Sequence, residues 1–139
     1  MDFMAPPMTR LLTFAAVAAL FAPVAAHAAE PIEGHWARGS MEIRIAPCGT
    51  SLCGTVIKAS VRQQAKAERG SGTTLIGATL IRDIRPAGPG RYHAKVFVAD
   101  KNFNAKGTIH QVGHDRLDVK GCAVFGLVCK AAQWTRVGR

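Results

Sequence analysis

The chain has 139 residues and carries 18 basic against nine acidic side chains, a formal net charge of +9 at pH 7. That length allows one domain with a hydrophobic core and leaves no room for a second. Basic character in a cytoplasmic protein would indicate nucleic acid, but aromatic side chains do not alternate with the basic ones here as they do on stacking platforms. Composition therefore predicts no nucleic-acid partner.

The first 28 residues have the pattern of a secretory signal peptide. Arg10 precedes an apolar run over residues 11–22, Pro23 interrupts the run, and the small residues that a signal peptidase reads end at Ala28. A membrane span needs about 20 apolar residues, so a transmembrane anchor is the weaker interpretation. We predict a leader over residues 1–28, a single domain over residues 29–139, and a periplasmic protein that is not an integral membrane protein.

The excess of positive charge belongs to the mature domain, because the leader contains one arginine and one aspartate. In an exported protein this excess favours an anionic envelope polymer or lipid head groups as partners. A solvated basic surface without a specific partner explains the same composition equally well.

Four cysteines remain after the leader, and an even number in a small exported domain indicates two disulfides. Loop entropy favours a long-range pair, at roughly 4.5 kcal/mol against roughly 2–2.5 kcal/mol for a local pair. Geometry decides, since bridged Cα atoms lie within about 7 Å of each other. Each local pair brackets a turn, so we predict the pairs Cys48 with Cys53 and Cys122 with Cys129. Neither spacing is usual for a zinc site, and we predict no metal.

Alternating apolar and polar residues predict the strands. The first begins at Gly34 and includes Ile43 and Ile45, and the second covers residues 52–59. Turn residues occupy 47–51, so the two form a hairpin held near its turn by the first cysteine pair.

Residues 60–72 are polar and basic and end in glycines, which we interpret as a mobile loop. Arg62, Lys66 and Arg69 in this loop form either an anion-binding edge or ordinary solvated charge. No stretch of the mature chain has a convincing helical period of 3.6.

Five further strands are predicted over residues 73–84, 92–98, 103–109, 117–120 and 128–137. Gly77 places a bulge or bend in the first of these. Short strands at regular spacing indicate an all-β antiparallel meander of about seven to eight strands, either a barrel or a sandwich. We favour a closed β-barrel, because closure removes the two exposed edges.

Patterns that carry catalysis are nearly absent: the sequence has no nucleophile elbow, phosphate loop or C-x-x-C pair. His110 and His114 have the spacing of a helical zinc site, but Gly113 and the surrounding alternation place them across a strand end and a turn. Nothing in the spacing of the acidic residues supports a carboxylate dyad. We predict a non-enzymatic protein without a cofactor.

The two tryptophans lie on the first and last predicted strands, which meet in a closed barrel. Arg38 or Arg136 over an indole face would stabilise this closure by about 0.5–2 kcal/mol. We interpret Trp36, Arg38, Trp134 and Arg136 as barrel-closure residues. The alternative is that the aromatic side chains line a ligand cavity.

Several motifs together resemble one bacterial family, the DUF2147 family of uncharacterised exported proteins. The matching segments are Gly34-x-Trp36 with Ile43-x-Ile45, Cys48-Gly49-x-x-Leu52-Cys53-Gly54, Leu75-Ile76-Gly77, and Leu117-x-Val119-x-Gly121-Cys122 through Cys129 to Gln133-Trp134-Thr135-Arg136-Val137. The family's Gly-x-Ile-Tyr-Asp-Pro stretch and later Gly-Lys-x-Tyr are absent. Phe97 stands where the family has the tyrosine.

The resemblance implies a periplasmic, lipocalin-like β-barrel with no assigned activity. Our leading hypothesis is that the barrel binds a small apolar or amphiphilic ligand, such as an anionic lipid. The candidate ligand-binding residues are Tyr92, Phe97, Asp100, Lys101 and Phe103. The alternative is a disulfide-stabilised interaction module that docks on an envelope protein or an anionic envelope polymer.

Overall fold

The computed structural model describes residues 31–123 and 128–139, so the predicted leader lies outside the described residues. Each strand pairs antiparallel with the next, and the last pairs with the first to close a barrel. The all-β antiparallel barrel is therefore confirmed. The elements in chain order are β1 (Gly34–Arg38), β2 (Met41–Cys48), β3 (Ser51–Lys58), α1 (Val61–Ser71), β4 (Thr79–Pro86), β5 (Arg91–Val98), β6 (Phe103–Val112), β7 (Arg116–Ala123) and β8 (Val128–Gly138).

The strands form because apolar residues alternate with polar ones, so that one side of the sheet fills the barrel and the other faces water. In β2, buried Ile43 and Ile45 flank exposed Arg44. In β7, buried Leu117 and Val119 are followed by exposed Lys120. The largest fully buried side chains are Trp36, Ile32, Ile43, Ile45, Ile84, Ile109, Leu117 and Val56.

The first predicted strand is two strands in the structure. Residues 39–40 form a tight turn, with Gly39 at a φ of +58°, and β1 folds back on β2 with Trp36 opposite Ile43. The number of strands therefore becomes eight, the upper end of the predicted range.

The loop predicted over residues 60–72 is wrong: Val61–Ser71 is an α-helix. Ser60 accepts a hydrogen bond from the backbone of Gln63, whose side chain accepts one from the Ser60 backbone, and Gly72 ends the helix at a φ of +70°. These contacts satisfy backbone groups that a helix leaves unpaired at its ends. Among the helical residues only Ala67 is buried, so the sequence has no apolar stripe.

The third predicted strand begins too early. Residues 73–78 precede β4, and Gly77, at a φ of +85°, lies in a turn that donates a hydrogen bond to the Val56 carbonyl. The irregularity in β4 falls instead at Asp83, which adopts a φ of +50° where the register with β5 shifts. The Asp83 carboxylate forms an ion pair with the Lys95 ammonium group at 3.1 Å.

We call the two ends of the barrel the helix end and the terminal end. The helix end holds α1 and the turns at residues 39–40 and 99–102. The terminal end holds both ends of the described chain and the turns at residues 49–50, 87–90 and 113–115. Both predicted disulfides are present: Cys48–Cys53 at the terminal end and Cys122–Cys129 at the helix end.

Candidate functional site

At the terminal end, Arg136 joins three segments of the chain. Its guanidinium carbon lies 4.2 Å from the centroid of the Trp36 ring. The Nε atom donates to the His114 carbonyl at 2.9 Å, Nη1 donates to the Glu33 carbonyl at 2.8 Å, and Nη2 donates to the Pro31 carbonyl. The indole of Trp36 in turn donates to the Ile32 carbonyl at 2.9 Å. This end is therefore closed by β1, β8, the 113–115 turn and the residues before β1.

Burial of the Arg136 guanidinium, together with the neighbouring charge of Arg139, lowers its pKa from the usual value, while Asp115 opposes the shift. An arginine nevertheless stays cationic at neutral pH, so the ring contact remains a cation–π interaction. Arg38, the other predicted partner for an indole, lies elsewhere: it lines the cavity described next.

Toward the helix end the barrel interior is hollow. A cavity of about 260 Å³ reaches the ends of β1, β5, β6, β7 and β8 at that end. Its lining is Arg38, Ile43, Leu80, Ile81, Val96, Phe97, Val98, Phe103, Ala105, Val119, Gly121, Ala123, Lys130, Ala131, Ala132 and Trp134. Apart from two basic side chains, the described lining is thus apolar.

The cavity exists because inward positions near the helix end carry small side chains. Ala105 on β6, Gly121 on β7 and Ala132 on β8 all line the cavity. Nearer the terminal end the inward positions of the same strands carry Ile109, Leu117 and other large residues that fill the interior. Among the described residues, the taper of side-chain size along these strands therefore places the cavity toward the helix end.

Arg38 and Lys130 are both exposed, which places them at the rim of the cavity, and they lie on the adjacent strands β1 and β8. No carboxylate is among the described residues that line the cavity. An anionic group at this rim would be attracted by two positive charges, and no carboxylate of the described lining would repel it.

The five candidate ligand-binding residues do not all lie at one site in the structure. Phe97 and Phe103 line the cavity. Tyr92 is buried in the core, and Asp100 and Lys101 are exposed in the turn between β5 and β6, so these three are not part of the lining. Of the four candidate closure residues, Trp36 and Arg136 stack at the terminal end, whereas Arg38 and Trp134 line the cavity.

Sequence reasoning missed Lys130 and the small inward residues as parts of a site. The signal was present in the alternation of β6 to β8, where Ala105, Gly121 and Ala132 occupy inward positions. A small residue at an inward position opens space only if its neighbours across the barrel are also small, and the pairing of strands is not visible in the sequence.

The two histidines with zinc-like spacing lie as the sequence predicted, one on a strand and one in a turn: His110 is in β6 and His114 follows it in the 113–115 turn. The His114 ring lies 3.0 Å from an Arg139 nitrogen. Within residues 31–123 and 128–139, no group of three or more His, Cys, Asp or Glu side chains is arranged to hold a metal ion. In the same part of the chain, no helix has the length and apolar character needed to cross a bilayer.

The fold and the cavity define an eight-stranded meander barrel, closed by the pairing of β1 with β8, with a cavity toward the helix end, an architecture that suits one small ligand. The chain belongs to the family described as "Uncharacterized protein conserved in bacteria (DUF2147)", whose model matches residues 34–136. The match covers β1 to β7, the helix and all of β8 except its last two residues.

A solved structure with a similar fold is protein HP1028 from Helicobacter pylori, described as belonging to the lipocalin family. The two share 13% sequence identity over 76% of this chain and 82% of that chain, with a TM-score of 0.58. At this identity the likeness concerns the fold, which is lipocalin-like. No curated protein matches the chain.

Proposed function

We propose that this protein is a non-enzymatic periplasmic binding protein for one small amphiphile with an acidic head group. The observation that carries the proposal is the cavity at the helix end, whose described lining is apolar apart from Arg38 and Lys130 at the rim. The apolar part of the ligand lies among Val96, Phe103 and Trp134, and its head group lies at the two basic side chains. Export is supported by the leader pattern and by two disulfides, which persist in oxidising compartments.

The size of the cavity limits the ligand. A cavity of roughly 150 Å³ holds benzene. In proportion, the cavity of about 260 Å³ accommodates roughly ten carbon atoms. Decanoate, a ten-carbon carboxylate, is therefore a suitable probe, and Trp134 in the lining provides a fluorescence signal.

Filling the cavity is expected to weaken the binding of decanoate. A Cβ atom at Gly121 would lie 3.6 Å from the Ala105 Cβ, an ordinary contact, so the variant Gly121→Leu projects its side chain into the cavity without a clash against the backbone. We expect affinity for decanoate to fall at least tenfold, which corresponds to the transfer free energy of about two methylene groups. Isothermal titration calorimetry measures the change, and the wild-type protein should bind one decanoate per chain.

The matched control for the cavity is Thr108→Leu, which places a leucine on the exposed outer face of the neighbouring strand β6. We expect this variant to bind decanoate like the wild type. Equal affinity of Gly121→Leu and the wild type, with both folded by circular dichroism, would show that decanoate does not enter the barrel.

The two basic rim residues are expected to select the head group. Replacing Arg38 and Lys130 together with methionine keeps the length and apolar character of both side chains but removes the charge. Because both side chains are exposed, each contributes little, and we expect decanoate affinity to fall about threefold to tenfold for the pair. Affinity for the neutral analogue decanol should stay the same. The control variant Lys106→Met removes an exposed charge from the outer face of β6 and should change neither affinity. A parallel loss for decanoate and decanol would rule out recognition of the acidic group.

A further inference from the structure

We propose that the helix end of the barrel docks on an anionic lipid bilayer, with the outward side of α1 against the head groups. This surface is separate from the cavity lining, and its side chains are not those that hold the ligand in the proposed function. The proposal stands on charge, on exposed apolar side chains and on the way the helix is mounted.

The first observation is a basic stripe along the helix. Arg62, Lys66 and Arg69 are all exposed and are spaced at i, i+4 and i+7, so they lie on one face. Among the described residues none of the three has an ion-pair partner within 4.0 Å. Glu68 is the acidic residue of the helix and is also exposed, so the three basic residues and Glu68 give the helix a net charge of +2.

The second observation is that the helix is held on the barrel by residues outside the basic stripe. Near its start, Gln63 is 3.1 Å from the Ser40 hydroxyl in the β1–β2 turn. Near its end, Gly70 lies directly against the backbone of Asp100 in the β5–β6 turn. Those turns are four strands apart around an eight-stranded barrel, so the helix crosses the helix end. The basic stripe takes no part in these contacts and stays exposed.

The third observation is a set of exposed aliphatic side chains beside the helix. Val61 is 82% exposed, Ile76 is 41% exposed and Ile57 is 39% exposed, and these are three of the four exposed large hydrophobic residues in the described chain. Val61 begins the helix. Hydrogen bonds between Val56 and residues 77–78 bring Ile76 next to β3 beside Ile57. The apolar residues therefore flank the helix on the strand that precedes it and the segment that follows it.

Basic and aliphatic side chains together indicate a bilayer in preference to a soluble polyanion. A hydrophilic polymer pairs with the basic stripe but offers nothing to Val61 or the two isoleucines. An anionic bilayer provides both head-group charge and an apolar boundary, as it does for amphipathic helices at interfaces. The rim of the cavity lies at the same end, so a docked barrel presents Arg38 and Lys130 toward the lipid surface.

Binding of the purified, disulfide-bonded protein to lipid vesicles tests the proposal. The wild type should cosediment with vesicles of phosphatidylcholine and phosphatidylglycerol in a ratio of about 3:1 and not with pure phosphatidylcholine. Each basic residue near an anionic surface contributes about fivefold in affinity, so the triple variant Arg62→Gln, Lys66→Gln, Arg69→Gln should bind about a hundredfold more weakly. Added salt should weaken wild-type binding, because it screens the exposed charges.

The matched control is the triple variant Arg82→Gln, Lys106→Gln, Lys120→Gln. These residues are exposed on β4, β6 and β7 without an ion-pair partner among the described residues, and their replacement removes the same charge. We expect less than a threefold loss for this variant. The single variant Val61→Ser should bind the mixed vesicles about threefold to tenfold more weakly.

Several outcomes would overturn the proposal. One is the absence of wild-type binding to anionic vesicles. Another is an equal loss of vesicle affinity for the two triple variants, which would mean attraction by net charge alone. A third is binding to soluble polyphosphate as tight as to vesicles, with no effect of Val61→Ser, which would favour a polymer. Decanoate binding by the helix triple variant should equal that of the wild type, so failure of docking is distinguishable from failure of the proposed function.

Discussion

Replacement of Arg136 with alanine is expected to lower the free energy of unfolding by about 3–5 kcal/mol, a large part of the stability of a domain this size. The side chain stacks on Trp36 at 4.2 Å and donates to carbonyls of Pro31, Glu33 and His114. A cation–π contact contributes about 0.5–2 kcal/mol, and a hydrogen bond from a charged donor contributes about 1.5–3 kcal/mol. Because the side chain is only partly buried, the contacts do not each reach the upper limit.

The lysine variant at the same position separates charge from geometry. Arg136→Lys keeps a cation near the Trp36 ring. Lysine lacks the planar guanidinium of arginine, so it cannot donate to the three carbonyls in their different directions. We expect it to lose about half as much stability as the alanine variant. Urea denaturation followed by tryptophan fluorescence measures both, and the lysine variant keeps the test informative if the alanine variant does not fold.

The control for Arg136 is Arg116→Ala on the neighbouring strand β7. Arg116 pairs with Asp118 at 3.4 Å, with both side chains about half exposed. Exposed pairs of this kind contribute about 0–1 kcal/mol. If Arg136→Ala costs no more than Arg116→Ala, the three carbonyls are satisfied by water and Arg136 does not close the barrel.

Replacement of Gly70 with alanine is expected to destabilise the protein by about 3 kcal/mol, opposite in sign to its effect on an isolated helix. In an unpacked helix the same change stabilises by about 1 kcal/mol, because glycine has more backbone freedom to lose. Here a Cβ at Gly70 would overlap the Asp100 carbonyl and approach the Asp100 Cα to 2.8 Å. These are backbone atoms of a turn, so the clash is relieved only if the helix or the turn moves.

Hydrogen exchange and urea denaturation measure the Gly70 effect. Amide protection over Val61–Ser71 should fall in the variant, since the helix lifts from the β5–β6 turn. The pair Lys66→Ala and Lys66→Gly, at an exposed position of the same helix, calibrates intrinsic propensity, with an expected difference of about 1 kcal/mol. A stabilised Gly70→Ala would contradict the close approach of helix and turn.

One element, the helix α1, was not predicted from the sequence. Periodic apolar residues are the main sequence signal for a helix, and α1 buries only Ala67. The remaining signals were its caps, Ser60 with Gln63 at the start and Gly72 at the end. Such caps are recognised only at the ends of a stretch that is already predicted to be helical. Its place is decided by contacts with two turns that are distant in sequence.

The amino-acid sequence by itself predicted most of the strands and turns and the local cysteine pairs, and its motifs indicated the family. The strands and turns depend on the period-2 alternation of apolar residues and on turn chemistry, both of which are local. It also indicated barrel closure at the two ends of the mature chain, because Gly34-x-Trp36 and the segment around Arg136 form specific motifs.

Only the tertiary structure decided which arginine covers Trp36 and where the interior is empty. Arg38 and Arg136 are equivalent in the sequence, but register places Arg136 opposite Trp36 and puts Arg38 at the cavity rim. Likewise, the small lining residues Ala105, Gly121 and Ala132 make a cavity only because the strands opposite them in the closed barrel leave the space beside them unfilled. Volume and rim charge are properties of strands brought together, and no single stretch of sequence contains them.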